Sequence, residues 1–290
     1  MRQITFVNSL NQSIVFGPDS TYSINSLEGI DDATLTIYKQ QAPFQNGETI
    51  IDELYEPRTI TINGAIRKPQ NLIAIANERR NILAITNPRL GLGTLYYKND
   101  VTTYTTSAML IPSGKIFPNK NANVPTQAFV ISFECPDPYW YDITTQNISM
   151  QDTVANTTFP VTFATTLVLS YWSGLSKTIT NNGDAKTPIY IMLYGPCTNP
   201  KILNSTTGEY LKVNKTMVAG DLLEINTAFG NKTVYYTPTG GSKVSAMAYL
   251  DLGSTFFQLS QGNNIIALSD DSSSTSDICN LLFTNRYVGV

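Results

Sequence analysis

Apolar and polar residues alternate with a period of two along most of the chain, which predicts strands. The clearest run is Arg58 to Ile66. Ile60, Ile62 and Ile66 point one way, and Thr59, Thr61, Asn63 and Arg67 the other. Gly64 interrupts this run and predicts a bulge or a close backbone approach. Ala128 to Cys135 repeats the pattern, with Phe129, Ile131, Phe133 and Cys135 on one face. Leu35–Ile37 and Val101–Leu110 follow it less cleanly. Between these runs Leu72, Ile75, Ala76, Ile82 and Leu83 recur at helical spacing. The spacing predicts a helix over Pro69 to Thr86, opened by Pro69 and ended by Asn87-Pro88. Its polar face carries Glu78, Arg79, Arg80 and Asn81. Such a helix either covers a sheet or offers its arginines to another subunit.

Ala42 to Pro57 shows little periodicity, yet Phe44, Ile50, Ile51, Leu54 and Tyr55 make it too apolar for a free linker. It reads as a long hairpin or arm that packs on something, since long loops in compact domains usually carry function. Cys135-Pro136-Asp137-Pro138-Tyr139-Trp140 then stops strand pairing with two prolines. The Thr/Asn/Gln-rich stretch Thr144–Thr157 marks a boundary, which divides the chain into domains 1–145 and 146–290. The second half holds strands near Ile189–Tyr194, Lys201–Asn204, Tyr210–Val213, Leu222–Asn226, Thr233–Thr237, Thr255–Leu259, Ile265–Leu268 and Asn280–Val288. Turn signals at about ten-residue spacing predict an antiparallel sandwich or jelly roll.

Composition narrows the chemistry. The 290 residues include 14% charged residues and no histidine, and the net charge is −3. Without histidine, Ser-His-Asp and Cys-His catalysis and His-based zinc sites are excluded. The adjacent carboxylates Asp31-Asp32, Asp52-Glu53 and Asp270-Asp271 read as solvated turns, so no catalytic residue, cofactor site or metal site is expected. Cys135, Cys197 and Cys279 are far apart and odd in number, which suits buried small hydrophobes. No cluster of Lys and Arg predicts a grip on nucleic acid. No apolar run is long enough for a membrane span, and the N-terminus lacks the pattern of a signal peptide. The chain is therefore expected to be made in a cytoplasm without export.

Several motifs, in order, carry a resemblance. Asn8-Ser9-Leu10-Asn11-Gln12-Ser13-Ile14 with Phe16-Gly17-Pro18 opens the series. Pro57-Arg58-Thr59-Ile60-Thr61-Ile62-Asn63-Gly64 and Asn87-Pro88-Arg89 before Gly93-Thr94-Leu95-Tyr96-Tyr97 follow. Then come Pro136-Asp137-Pro138-Tyr139-Trp140, Tyr194-Gly195-Pro196, Asn226-Thr227-Ala228-Phe229-Gly230 and Arg286-Tyr287-Val288-Gly289-Val290. The chain resembles the distal tail protein family of siphophages. The resemblance implies a mainly β fold: an N-terminal β-sandwich-like ring domain with one α-helix and a long arm, and a C-terminal galectin-like or jelly-roll β-sandwich. It implies a homohexameric ring at the virion tail tip, joining the tail tube protein to the tail-associated baseplate protein. Its channel would pass the tape-measure protein and DNA, with no sequence-specific nucleic-acid binding and no membrane insertion.

In that family the arm and helix make ring contacts. The expected interface residues are therefore Phe44, Tyr55, Arg58, Arg79 and Arg80, while Pro136, Asp137, Pro138, Tyr139 and Trp140 are expected to be structural. The alternative function is a carbohydrate-binding module for host cell-wall attachment, which would stack sugars on Tyr171, Trp172, Tyr235 or Tyr236. A carboxylate-only glycosidase is the third reading.

Overall fold

A computed structural model describes residues 2–67, 72–118, 126–151, 175–271 and 278–290. The chain is mostly β, and it divides into two compact units. One comprises Met1–Ile143 with Arg286–Val290, the other Thr144–Asn285.

The first unit contains strands β1 (Gln3–Val7), β2 (Ser13–Phe16), β3 (Tyr22–Glu28), β4 (Leu35–Gln40), β5 (Thr49–Tyr55) and β6 (Arg58–Arg67). Helix α1 (Leu72–Ile85) follows, then β7 (Gly93–Lys98), β8 (Thr103–Ile116), β9 (Thr126–Cys135) and β10 (Trp140–Asp142). The main sheet runs β10-β8-β7-β1-β2-β3-β6-β9, and β9 also pairs with β8. That last pairing closes the sheet into a barrel, so its inner faces share one core. β6 pairs along both edges, with β3 and with β9. Its period of two therefore buries every second residue: Ile60, Ile62 and Ile66 lie in the core beside Phe129, Ile131 and Phe133. Gly64 is a close-approach site. A Cβ there would sit 2.1 Å from the Ser23 carbonyl oxygen and 2.5 Å from the Phe129 ring.

The predicted helix is present as α1, while Pro69 lies outside the described residues. Ile75, Ile82 and Ile85 face the core. The Tyr22 hydroxyl donates to Glu78 Oε2 (2.6 Å) and accepts from Asn81 Nδ2 (2.9 Å), tying the helix to the barrel wall. The opposite face leaves Ile73 and Leu83 exposed. Leu83 was grouped with the buried stripe by spacing, but it sits outside the narrower face that meets the barrel.

The second unit is a sandwich. One antiparallel sheet orders Gln146–Gln151, Ile278–Phe283, Tyr190–Tyr194, Leu222–Asn226, Thr233–Thr237 and Val244–Ser245. The other orders Leu175–Asn181, Gly262–Ser269, Lys201–Asn204 and Glu209–Lys212. Ile191, Leu193 and Ile225 from the first sheet and Ile202, Leu211 and Ile266 from the second fill a common core.

The strand expected over Asn280–Val288 is two strands. Ile278–Phe283 ends before Asn285, a buried residue whose Oδ1 accepts the Asn182 N–H at 3.2 Å. Arg286–Tyr287 then pairs with β10, so the last five residues, grouped by sequence with the second half, belong to the first unit.

Candidate interaction surface

β4 and β5 form a two-stranded antiparallel hairpin outside the main sheet, with Leu35 opposite Tyr55 and Gln40 opposite Thr49. Every residue of β5 is exposed. Ile37, Tyr38, Ile50, Ile51 and Leu54 stand in solvent. At the tip Phe44 is 106% exposed and has a φ of 67°. A non-glycine residue in that left-handed region costs about 1 kcal/mol, and no described residue compensates by covering the ring.

Polar contacts hold the hairpin's shape. Lys39 pairs with Glu48 at 2.9 Å, and Gln45 Nε2 donates to Thr49 Oγ1 at 2.9 Å. Gln45 Oε1 accepts the Ala42 N–H at 3.0 Å. A lone two-stranded hairpin is marginal in water, and burying each of these large apolar side chains would contribute about 1.5–3 kcal/mol.

Its base is anchored firmly. Tyr55 packs edge-on against Tyr139, with ring centres 5.8 Å apart. The Arg286 guanidinium lies 5.3 Å from the Tyr139 ring and 5.2 Å from the Tyr141 ring. Beneath them sits Arg58, which is buried and corrects its expected place in the ring interface. Its Nε donates to the Pro138 carbonyl at 2.9 Å, and its Nη1 to the Gly29 (2.9 Å) and Ile30 (2.7 Å) carbonyls. Its Nη2 donates to the Val288 carbonyl. The guanidinium also lies 5.8 Å from the centre of the fully buried Trp140 ring, whose Nε1 donates to Ile30 at 3.3 Å. The planar donor fork thus gathers carbonyls from three separate segments.

In the Pro136–Trp140 motif, Asp137 accepts from the Tyr139 N–H and the Tyr141 hydroxyl, closing the corner after β9. Burial, with the Asp137 carboxylate beside it, pushes the Tyr141 hydroxyl pKa up. Burial likewise pushes the Cys135 thiol up to about 12, so it stays a neutral core group.

Arg79 and Arg80 are both exposed on α1, and the Arg79 guanidinium stacks 4.7 Å from the Phe117 ring. With Ile73 and Leu83 they form a mixed apolar and cationic strip. Sequence reasoning missed Ile37, Tyr38 and Ile73 as surface residues. The adjacent pair Ile50-Ile51 was the available signal, because consecutive apolar residues on one strand point to opposite faces.

The other candidate chemistry disperses. Asp270 Oδ2 accepts the Thr198 N–H at 3.1 Å, and Asp271 Oδ2 accepts from Asn199 Nδ2 at 2.9 Å, as turn residues do. Asp52 lies on the exposed arm. Among the described residues, no three Cys, Asp or Glu side chains gather into a set that would hold a metal ion. No helix among them is long and apolar enough to cross a membrane. Of the aromatic residues considered for sugar stacking, Tyr171 and Trp172 lie outside the described residues. The Lys243 ammonium lies 4.7 Å from the Tyr235 ring and that of Lys215 lies 4.2 Å from the Tyr236 ring, so each ring has a cation over it.

Two family models match the two halves of this architecture. The phage tail protein RIFT-related domain matches residues 12–135, and the siphovirus-type tail component C-terminal domain matches residues 182–287. The chain is thus a siphovirus-type tail component, a structural part of the phage tail and baseplate. It belongs to the distal tail protein family of siphophages. Its fold is similar to the crystal structure of the phage SPP1 Dit protein, described as a paradigm of hub adsorption apparatus in phages infecting Gram-positive hosts. The TM-score is 0.66 at 12% identity, covering 98% of each chain. A chain of the phage P2 baseplate in its activated conformation with calcium is similar at a TM-score of 0.50 and 12% identity, covering all of both chains. No curated protein matches the chain significantly.

Proposed function

We propose that the chain is a ring-forming adaptor at the tail tip. Six copies close into a ring that joins the tail tube protein to the tail-associated baseplate protein. The central channel passes the tape-measure protein and then DNA. The observation that carries this reading is the β4–β5 arm, whose apolar side chains project from both faces with Phe44 uncovered at the tip.

Such an arm suits a heterologous contact, in which one copy's arm lies on a different surface of its neighbour and repetition closes a ring. Charge favours the α1 strip as the receiving surface. The arm carries Asp52 and Glu53, and the helix carries Arg79 and Arg80. Opposite charges at a contact fix its register and steer its encounter. The low charged fraction and the absence of a basic cluster suit a wall that DNA crosses without sticking.

Light scattering with negative-stain imaging of the full chain tests the reading. A six-fold ring with a central hole is expected. Arg79→Glu with Arg80→Glu should dissociate it, and adding Asp52→Lys with Glu53→Lys should restore it. Assembly untouched by the double reversal would remove α1 from the contact. A chain that stays monomeric alone and with both neighbouring tail proteins would overturn the ring itself.

A further inference from the structure

The chain contains three Asn-Gly pairs, at 46–47, 63–64 and 182–183. Asparagine before glycine is open to a spontaneous reaction. The glycine backbone nitrogen attacks the asparagine Cγ, a C–N bond forms, and the side-chain nitrogen leaves as ammonia. The resulting succinimide takes up water at either carbonyl and opens to aspartate or isoaspartate. No redox partner is needed. The reaction does need a glycine N–H that is free of hydrogen bonds and a backbone able to bend toward the side chain.

The fold treats the three pairs differently. Gly64 lies within β6 between two paired strands, opposite Ile24 and Phe129. A Cβ added there would meet backbone at 2.1 Å, so the segment has no room to bend. Asn63 is further held by donating to Ser26 Oγ at 2.8 Å. The buried Gly183 donates its N–H to Asn181 Oδ1 at 3.0 Å, and the preceding N–H of Asn182 is bound to Asn285.

Gly47 is exposed at the arm's tip with a φ of 85° and no atom within 4 Å of a Cβ position. Asn46 is exposed beside it. The tip's hydrogen bonds run through Gln45 to Gln41, Ala42 and Thr49 and pass around both residues.

We infer that Asn46 is a selective site of spontaneous deamidation. The product places a new carboxylate next to the Lys39–Glu48 pair and, as isoaspartate, lengthens the turn by one backbone carbon. This inference stands on the geometry within one chain and does not depend on ring closure.

The test is peptide mapping by mass spectrometry after incubating the full-length chain at mildly alkaline pH, diluted until light scattering shows monomer. Urea-unfolded chain serves as the reference in which all three pairs are free. In the folded chain Asn46 should convert about tenfold faster, or more, than Asn63 and Asn182, because only the latter two need local opening. Asn46→Gln should abolish the acidic species seen by ion exchange. Conversion of Asn63 or Asn182 at the rate of Asn46, or an Asn46 that survives in the monomer while the unfolded chain converts, would overturn the inference.

Discussion

β6 and β5 are neighbouring strands of similar apolar content with opposite fates. β6 pairs on both edges, and every second side chain lies in the barrel core. Among the described residues β5 pairs only with β4, and all seven residues of β5 are exposed. The difference lies in the order of residues. Arg58-Thr59-Ile60-Thr61-Ile62 alternates, so one face is apolar and a single core satisfies it. Ile50-Ile51 and Leu54-Tyr55 are consecutive apolar pairs, so both faces of the hairpin seek cover. Among the described residues no sheet layers on either apolar face of the hairpin, and these are the faces that the proposed ring contact would cover.

Arg58 is the residue where the arm's return strand enters the barrel. Arg58→Met keeps the stem's volume but leaves the carbonyls of Gly29, Ile30, Pro138 and Val288 without this donor. The expected loss is about 3 kcal/mol or more, the range for buried polar partners deprived of a charged donor. Arg58→Lys should recover only part, since a point ammonium cannot span the positions of a planar fork. Urea unfolding followed by circular dichroism measures both. A loss near zero would show that the knot beneath the arm carries no stability.

A smaller effect separates the second unit from the first. Asp221 is buried and accepts from the Tyr236 hydroxyl, the Val218 and Thr239 N–H groups and the Thr239 hydroxyl. Burial raises its pKa, but these hydrogen bonds outweigh it and hold the carboxyl below its ordinary range. The partner Tyr236 hydroxyl is pushed up to about 12, first by its bond to Asp221. A carboxyl depressed in the folded state contributes stability that is whole above its unfolded pKa and is lost as pH falls through its folded pKa. Asp221→Asn should therefore cost about 1–3 kcal/mol at neutral pH, with the gap to the parent chain closing on acidification. Urea titrations across pH measure the gap. A pH-independent gap would mean that shape, not charge, holds the Val218–Asp221 turn.

What the sequence made legible follows the range of the interactions. Strands β6 and β9, less cleanly β4 and β8, the helix and the arm were visible as local patterns, and so was the close approach at Gly64. Arg58 was misplaced because its acceptors lie 28, 29, 80 and 230 residues away. No local pattern announces that four distant carbonyls converge on one guanidinium. The return of Arg286–Tyr287 to β10 was hidden for the same reason, since Asn280–Val288 reads as one strand until Asn285 is seen buried in a turn contact. Ile37 and Tyr38 were hidden differently. Their strand looks ordinary, and only the absence of a layer over it makes them surface residues.

The smallest effect on folding should come from a residue expected to matter for assembly. Phe44 is covered by none of the described residues and sits at a φ that glycine adopts without strain. Phe44→Gly should therefore leave the unfolding free energy within about 0.5 kcal/mol of the parent, or raise it by up to about 1 kcal/mol as the left-handed strain is relieved. Removing a core phenylalanine ordinarily costs about 3–5 kcal/mol, so the contrast is decisive. In the same variant, self-association measured by sedimentation should weaken by the burial worth of one large side chain per contact, about 1.5–3 kcal/mol. Unchanged folding with lost association is the signature of a side chain kept for a neighbour. Unchanged folding with unchanged association would leave the Phe44 ring without a role at the contact and move the burden of assembly to Ile37, Ile51 and Leu54 along the arm's two faces.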